Sequence, residues 1–253
     1  MELYFKKLGQ GKPLIILHGL FGSSDNWQTH AKKLAEYFEV YLVDQRNHGR
    51  SEWSDAFSYE IMAEDVRELI EKEGIEDFIL MGHSMGGKTA MHYAQKYPED
   101  IAKMIIVDMG IKAYPIHHDV ILDGLKSIDL SKIDSRSLAD EQLGKYIDNF
   151  AIRQFLLKNL YWKEKGQLAW RINIPVLERE LHQIVTALPE KEVMIETLFM
   201  RGGQSNYILE SDYESIRKVF PLAVFHEIPK AGHWIHAEAP QEFIHEVLGF
   251  SLR

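Results

Sequence analysis

The chain of 253 residues contains no cysteine. Disulfides, thiolate metal sites and a cysteine nucleophile are therefore excluded. It also lacks any apolar run approaching the ~20 residues that a membrane-spanning helix needs. Its first residues, Met1-Glu2-Leu3-Tyr4-Phe5-Lys6-Lys7, carry no apolar stretch of the secretory kind. The expectation is a cytoplasmic protein that does not engage a membrane. Positive charge is in deficit, with 29 Lys and Arg against 38 Asp and Glu, a formal net charge of −9. The basic residues are scattered rather than gathered into the stripe that nucleic acid requires, so no nucleic-acid partner is expected. No internal repeat, low-complexity tract or H-E-x-x-H spacing occurs, so neither a metal nor a cofactor is expected. His117-His118 is no exception, because adjacent residues on a helix face different ways.

What is present suffices for a large core. Hydrophobic residues make up 45% of the chain, and its length suits one α/β domain with or without an insertion. Four short apolar runs stand out: residues 13–18, 39–44, 78–81 and 103–108. Helical patterns lie between them, at about 30–38, 58–73 and 86–97. This alternation predicts a mostly parallel sheet with helices on both faces. Runs that are apolar throughout, rather than alternating, suit strands covered on both sides. Residues 2–8 are expected to add an antiparallel edge strand.

The rhythm breaks after Asp108. From 112 to 187 helical patterns run through Val120–Ser127, Ser137–Asn149 and Ile152–Asn159, and no strand is expected. Strands are expected again at Val193–Met200 and Ala223–Ile228, with helices at Ser211–Phe220 and Gln241–Phe250. The domain reading is a core of residues 1–111 and 188–253 with a helical cap of residues 112–187. The cap helices are short, so their apolar faces need the core to cover them.

Gly82-His83-Ser84-Met85-Gly86 fits G-x-S-x-G between an expected strand and an expected helix. This context predicts a tight turn that exposes a nucleophilic Ser84 at the strand end. It also points the free N–H groups of a helix N-terminus at the reacting centre. A serine hydroxyl needs a base to take its proton, and the base needs an orienting group. Of twelve histidines, His233 lies in a loop just after the last expected strand, where open α/β sheets carry their sites.

Five stretches together resemble the α/β-hydrolase superfamily: His18–Ser23, Asp44–Ser51, Gly82–Gly87, Gly202–Ser205 and Ala231–Trp234. The R-N-H-G-x-S and G-H-S-M-G-G-K blocks are similar to small bacterial and mitochondrial esterases that cleave acyl esters and thioesters. The resemblance implies an oxyanion hole made by the backbone N–H of Met85 with that of Leu20 or Phe21. It also implies the chain order nucleophile, acid, base, which puts the base last, as His233 is. Most of the superfamily carries the acid after the penultimate strand; the corresponding positions here are Ser205 and Asn206, neither of them a carboxylate. Asp108 is the stronger candidate, because a carboxylate ending so apolar a run needs a partner. The named esterases are similar in placing the acid there. Asp212 and Glu210 are the alternatives.

Phe21, His83 and Trp234 flank these groups and are the candidate substrate-lining side chains; for His83, packing beneath the turn is an equal alternative. His18 is expected to hold its loop. Asp44 is expected to pair with Arg46 or a nearby N–H, and Arg46, Asn47 and His48 to brace the same loop. The expected activity is hydrolysis of short- to medium-chain acyl esters or thioesters, by a monomer or homodimer, through an acyl-enzyme on Ser84. Carbon–carbon bond hydrolysis, perhydrolysis or ligand binding without catalysis are the alternatives.

Overall fold

The apolar runs become strands sealed on both sides: Leu14, Ile15, Ile16 and Leu17 are each at most 1% exposed, as are Phe78 to Met81. The structure, a computed structural model, describes residues 1–116 and 118–253. His117, one of the two adjacent histidines, lies outside the described residues. In chain order the first half runs β1 (Phe5–Leu8), β2 (Lys12–Leu17), α1 (Gln28–Leu34), β3 (Phe38–Val43), α2 (Tyr59–Glu73), β4 (Phe78–His83), α3 (Met85–Lys96) and β5 (Ile101–Val107). The middle comprises α4 (Asp119–Ser127), α5 (Arg136–Leu143), α6 (Phe150–Leu157), β6 (Leu160–Glu164), β7 (Gln167–Trp170), α7 (Ile174–Arg179) and α8 (Leu181–Ile184). The last part is β8 (Thr197–Gly202), α9 (Tyr213–Val219), β9 (Ala223–Ile228), α10 (Ile235–Glu238) and α11 (Pro240–Ser251).

Seven strands form one sheet in the order β1-β3-β2-β4-β5-β8-β9. All neighbours are parallel except β1, which pairs antiparallel with β3. Two apolar layers cover it. One packs Trp27, Ala31 and Leu34 with Phe243 and Val247 on one face; the other packs Ala63, Val66, Met91, Ala94 and Ile216 on the opposite face. The strand order changes direction between β2 and β4, which pair as Leu17↔Gly82. Such a switch point opens a crevice at the strand C-terminal ends. It brings the loop after β2 beside the turn after β4.

The segment between β5 and β8 has no sealed core of its own. Its Leu122, Leu125, Leu156 and Leu177 join one apolar cluster with Leu20, Phe21, Met62 and Met85 from the sheet side. Polar ties add to this. Asn159 Nδ2 donates to Phe21 O at 2.7 Å, and Tyr59 Oη to Ile184 O at 2.7 Å.

Three expectations need correction. The segment expected to lack strands contains the β6–β7 hairpin, closed by Lys165-Gly166 with Gly166 at φ +83°. A two-residue turn ending in glycine is a hairpin signal. The strand expected at 193–200 forms its ladder at Thr197–Gly202. Val193 and Ile195 are buried, but they pack in the core beside the ladder. The helix expected over 137–149 stops at Leu143, after starting at Arg136 with Ser135 accepting the Leu138 N–H.

Candidate active site

Ser84 occupies the turn between β4 and α3 at φ 52°, ψ −120°. Two glycines make this turn possible. A Cβ on Gly82 would stand 2.2 Å from Gly86 O, and one on Gly86 would stand 2.3 Å from Leu17 O. Both obstacles are backbone, so neither can step aside. The Ser84 N–H donates to Val107 O at 3.1 Å, and its carbonyl accepts from Gly87 and Lys88. The strained serine is thus held from both sides.

The His233 ring reaches Ser84 from the loop after β9. Nε2 lies 3.0 Å from Ser84 Oγ, and Nδ1 donates to Asp108 Oδ2 at 2.8 Å. The structure therefore brings all three proposed members into one hydrogen-bonded line. Asp108 is fully buried, directly after β5, at φ +46°. Its Oδ1 accepts the Gly202 N–H at 3.0 Å, and its Oδ2 also accepts the Ser205 hydroxyl. Ser205, at the position where most of the superfamily would carry an acid, thus donates to Asp108. The alternatives are engaged elsewhere: Asp212 accepts from Lys112 Nζ at 2.5 Å and from the Leu209 N–H at 2.8 Å. Glu210 is exposed in a short 3-10 turn before α9.

Residues that no local motif marks fix the His233 loop. Tyr207 stacks on the imidazole at 3.9 Å and 18°. Glu238 accepts the N–H groups of Gly232 at 2.7 Å and Trp234 at 3.2 Å. His83, buried beneath the turn, donates from Nε2 to His233 O at 2.9 Å. Burial pushes its imidazole down to about 3, so it stays neutral. His83 both braces His233 and forms part of the cavity floor.

The loop after β2 supplies the other wall. The Phe21 N–H donates to His48 Nε2 at 3.2 Å, which corrects its candidacy as an oxyanion donor. Among the described residues the Leu20 and Met85 N–H groups have no acceptor. His18 holds its own loop: Nδ1 donates to Gly19 O at 2.8 Å, and Nε2 accepts the Gln45 N–H at 3.0 Å. Asp44 accepts the N–H groups of Ser24 (2.6 Å) and Arg50 (2.8 Å) rather than pairing with Arg46. Arg46 instead binds Asp65 through two bonds, at 2.5 and 2.8 Å.

A cavity of about 270 Å³ opens over Ser84, and Phe21, Trp234, Ile121, Ile152 and Phe155 are among the side chains that line it. Behind it, Lys88 is fully buried on α3. Its Nζ donates to the carbonyls of Ile111 (3.2 Å), Lys112 (2.9 Å) and Thr186 (2.6 Å). Three acceptors match the three N–H donors of an ammonium. Burial nevertheless pushes Lys88 down to about 7. The side chain ties together the two places where the chain leaves the sheet and returns to it. Among the described residues no cluster of His, Asp and Glu has the arrangement of a metal site, and no helix is long and apolar enough to cross a membrane.

Residues 12–130 match the family model described as the alpha/beta hydrolase fold. A zebrafish (Danio rerio) protein named sn-1-specific diacylglycerol lipase ABHD11 is 37% identical over 97% of this chain and 80% of its own length. Esterase YbfF of Escherichia coli is 32% identical over 93% of this chain and 91% of its own. The solved structure of a marine microorganism esterase superposes with a TM-score of 0.96 at 44% identity, covering 98% of this chain and 99% of that one. With a tight serine turn at the switch point of a parallel sheet and relatives matched over nearly its whole length, the chain belongs to the α/β-hydrolase fold family.

Proposed function

We propose that the protein is a serine carboxylesterase acting on short- to medium-chain acyl esters and the corresponding thioesters. The observation that carries this reading is the unbroken line from Asp108 through His233 to Ser84. Ser84 Oγ attacks the acyl carbonyl while His233 Nε2 takes its proton. The N–H groups of Leu20 and Met85 receive the developing alkoxide; losing one such donor typically costs ~10²–10³ in rate. His233 then returns the proton to the leaving alcohol or thiol, and Asp108 stabilises the imidazolium between these steps. Water, activated by the same imidazole, releases the acid from Ser84. Residues 112–187 act as a cap whose apolar side chains roof the cavity. The esterase and lipase names of the relatives agree with this chemistry.

Hydrolysis of p-nitrophenyl acetate and labelling by a fluorophosphonate test the reading together. The wild-type protein is expected to turn over the ester and to take up one label at Ser84. Ser84→Ala is expected to lose both while keeping its thermal midpoint. Turnover retained by that variant would sink the proposal.

A further inference from the structure

The space around Ser84 has two unequal arms. One is the cavity of about 270 Å³, whose lining includes His233 and Trp234. The other is a recess of about 20 Å³ bounded by Leu20, Met85, Met109, Tyr114 and Val185, to which His233 contributes nothing. A recess of this size holds little more than one water-sized group. Its walls are fixed. The Tyr114 N–H donates to Val185 O at 2.8 Å, Tyr114 Oη donates to Tyr207 O at 2.8 Å, and Lys88 grips the carbonyls of Ile111, Lys112 and Thr186 beside them.

The chemistry assigns the two arms. The leaving oxygen must end within reach of His233 Nε2, which returns the proton to it. The alcohol therefore takes the arm that His233 lines. The acyl chain is left with the recess beside Leu20 and Met85. The alcohol arm also continues outward. Ile152, Phe155 and Trp234 line both the first cavity and a second chamber of about 560 Å³ between α6 and α10. The Phe155 and Trp234 rings, with centroids 6.2 Å apart, form the partition. Phe150, Ala151 and Ala237 lie on the far side of it.

Resting on the reading of Ser84 and His233 above, we propose that the preferred substrates join a short acyl group, of acetyl size, to a long apolar alcohol or thiol. The tail of that alcohol runs from His233 past the Phe155–Trp234 partition into the outer chamber.

A pair of isomers tests this directly. Octyl acetate and methyl nonanoate have the same formula and differ in which side of the ester is long. Below micelle-forming concentrations, octyl acetate is expected to show at least about tenfold higher kcat/KM. Along the series from ethyl to octyl acetate, kcat/KM is expected to rise by about two- to fourfold per methylene, the range that burial of one CH₂ allows. Equal rates, or a preference for methyl nonanoate, would overturn the assignment. Ala151→Trp and Ala237→Trp, both at exposed positions, probe the outer chamber. Each is expected to lower the octyl-to-butyl acetate ratio of kcat/KM several-fold; an unchanged ratio in both would remove the chamber from the proposal. Fluorophosphonate labelling separates the two levels of failure. A labelled Ser84 with the wrong isomer preference defeats this inference alone, whereas no labelling and no turnover of either ester defeats the esterase reading beneath it.

Discussion

Replacing Asp108 by asparagine probes the site where its geometry is least forgiving. Asp108 sits at φ +46°, a left-handed conformation that asparagine tolerates better than other non-glycine residues. The backbone can therefore stay where it is, which alanine would not guarantee. The amide oxygen can still accept the Gly202 N–H in place of Oδ1. The amide nitrogen then takes the position of Oδ2, facing both Ser205 Oγ and His233 Nδ1. The Ser205 hydroxyl can rotate to accept from it. The imidazole can face a donor at Nδ1 only by carrying its proton on Nε2. That nitrogen lies 3.0 Å from Ser84 Oγ and must be unprotonated to work as a base. The variant thus favours the wrong tautomer and removes the buried countercharge of the imidazolium. In a serine protease the equivalent change lowers kcat by ~10⁴, or about 5 kcal/mol in the barrier. We expect a loss of the same order here in kcat for p-nitrophenyl acetate, with KM within a few-fold and the thermal midpoint little changed. Asp212→Asn is the control. Its carboxylate binds Lys112 and the Leu209 N–H, and its loss is expected to change kcat less than threefold or so. An Asp108→Asn variant within tenfold of wild type, or an Asp212→Asn variant that is crippled, would refute the reasoning.

Three further perturbations bear on other parts of the structure. Ser205→Ala removes a buried charge-assisted hydrogen bond to Asp108, a contact worth ~1.5–3 kcal/mol; kcat is expected to fall about tenfold with KM nearly constant, and an unchanged kcat would reduce Ser205 to packing. Gly86→Ala places a Cβ 2.3 Å from the carbonyl of Leu17, so the unfolding free energy from urea titration is expected to drop by about 3 kcal/mol, whereas a variant as stable as wild type would show that α3 shifts freely on β2. The third concerns acid. Burial pushes His18 down to about 4 and His48 and His83 to about 3. Because these folded values lie below the ordinary histidine value of 6.5, the unfolded chain binds protons first as pH drops. The stability they contribute is complete above pH 6.5 and is lost progressively toward about pH 3, at about 1.4 kcal/mol per unit of lowering at each site. The urea midpoint is expected to be clearly lower at pH 5 than at pH 7.5, and equal midpoints would contradict the buried neutral state.

How much of this was legible in the sequence depends on where each interaction partner lies along the chain. The β2, β4 and β5 runs are readable because strands sealed on both faces have no polar positions to interrupt them. The β8 run misleads for the opposite reason. Its ladder takes in Arg201, which pairs with Glu227 on β9, while the apolar Val193 and Ile195 before it pack outside the ladder. The hairpin at 160–170 carries its signal in Lys165-Gly166, but its Trp162 and Trp170 sit close to helical stretches and suggest continuous packing surface instead. Ser84 and His233 can be found from local context, since a tight glycine turn and a loop after the last strand are themselves local features. Asp108 can be found because a carboxylate ending an apolar run demands a partner. Ser205, Tyr207 and Glu238 have no such local demand; each acts on a group distant in sequence or on a bare backbone N–H.

Ser205 shows the limit most sharply. Along the chain it reads as the loss of an acid from its usual place. In space β5 and β8 are neighbours, with Val107 opposite Met200, so the positions just beyond them converge on one point. A carboxylate can reach His233 Nδ1 from either strand, and two buried carboxylates there would repel each other. Once Asp108 occupies the site from β5, the position after β8 is best filled by a hydroxyl that donates to it. The missing acid and the buried serine are therefore one feature, which counting along the sequence splits in two.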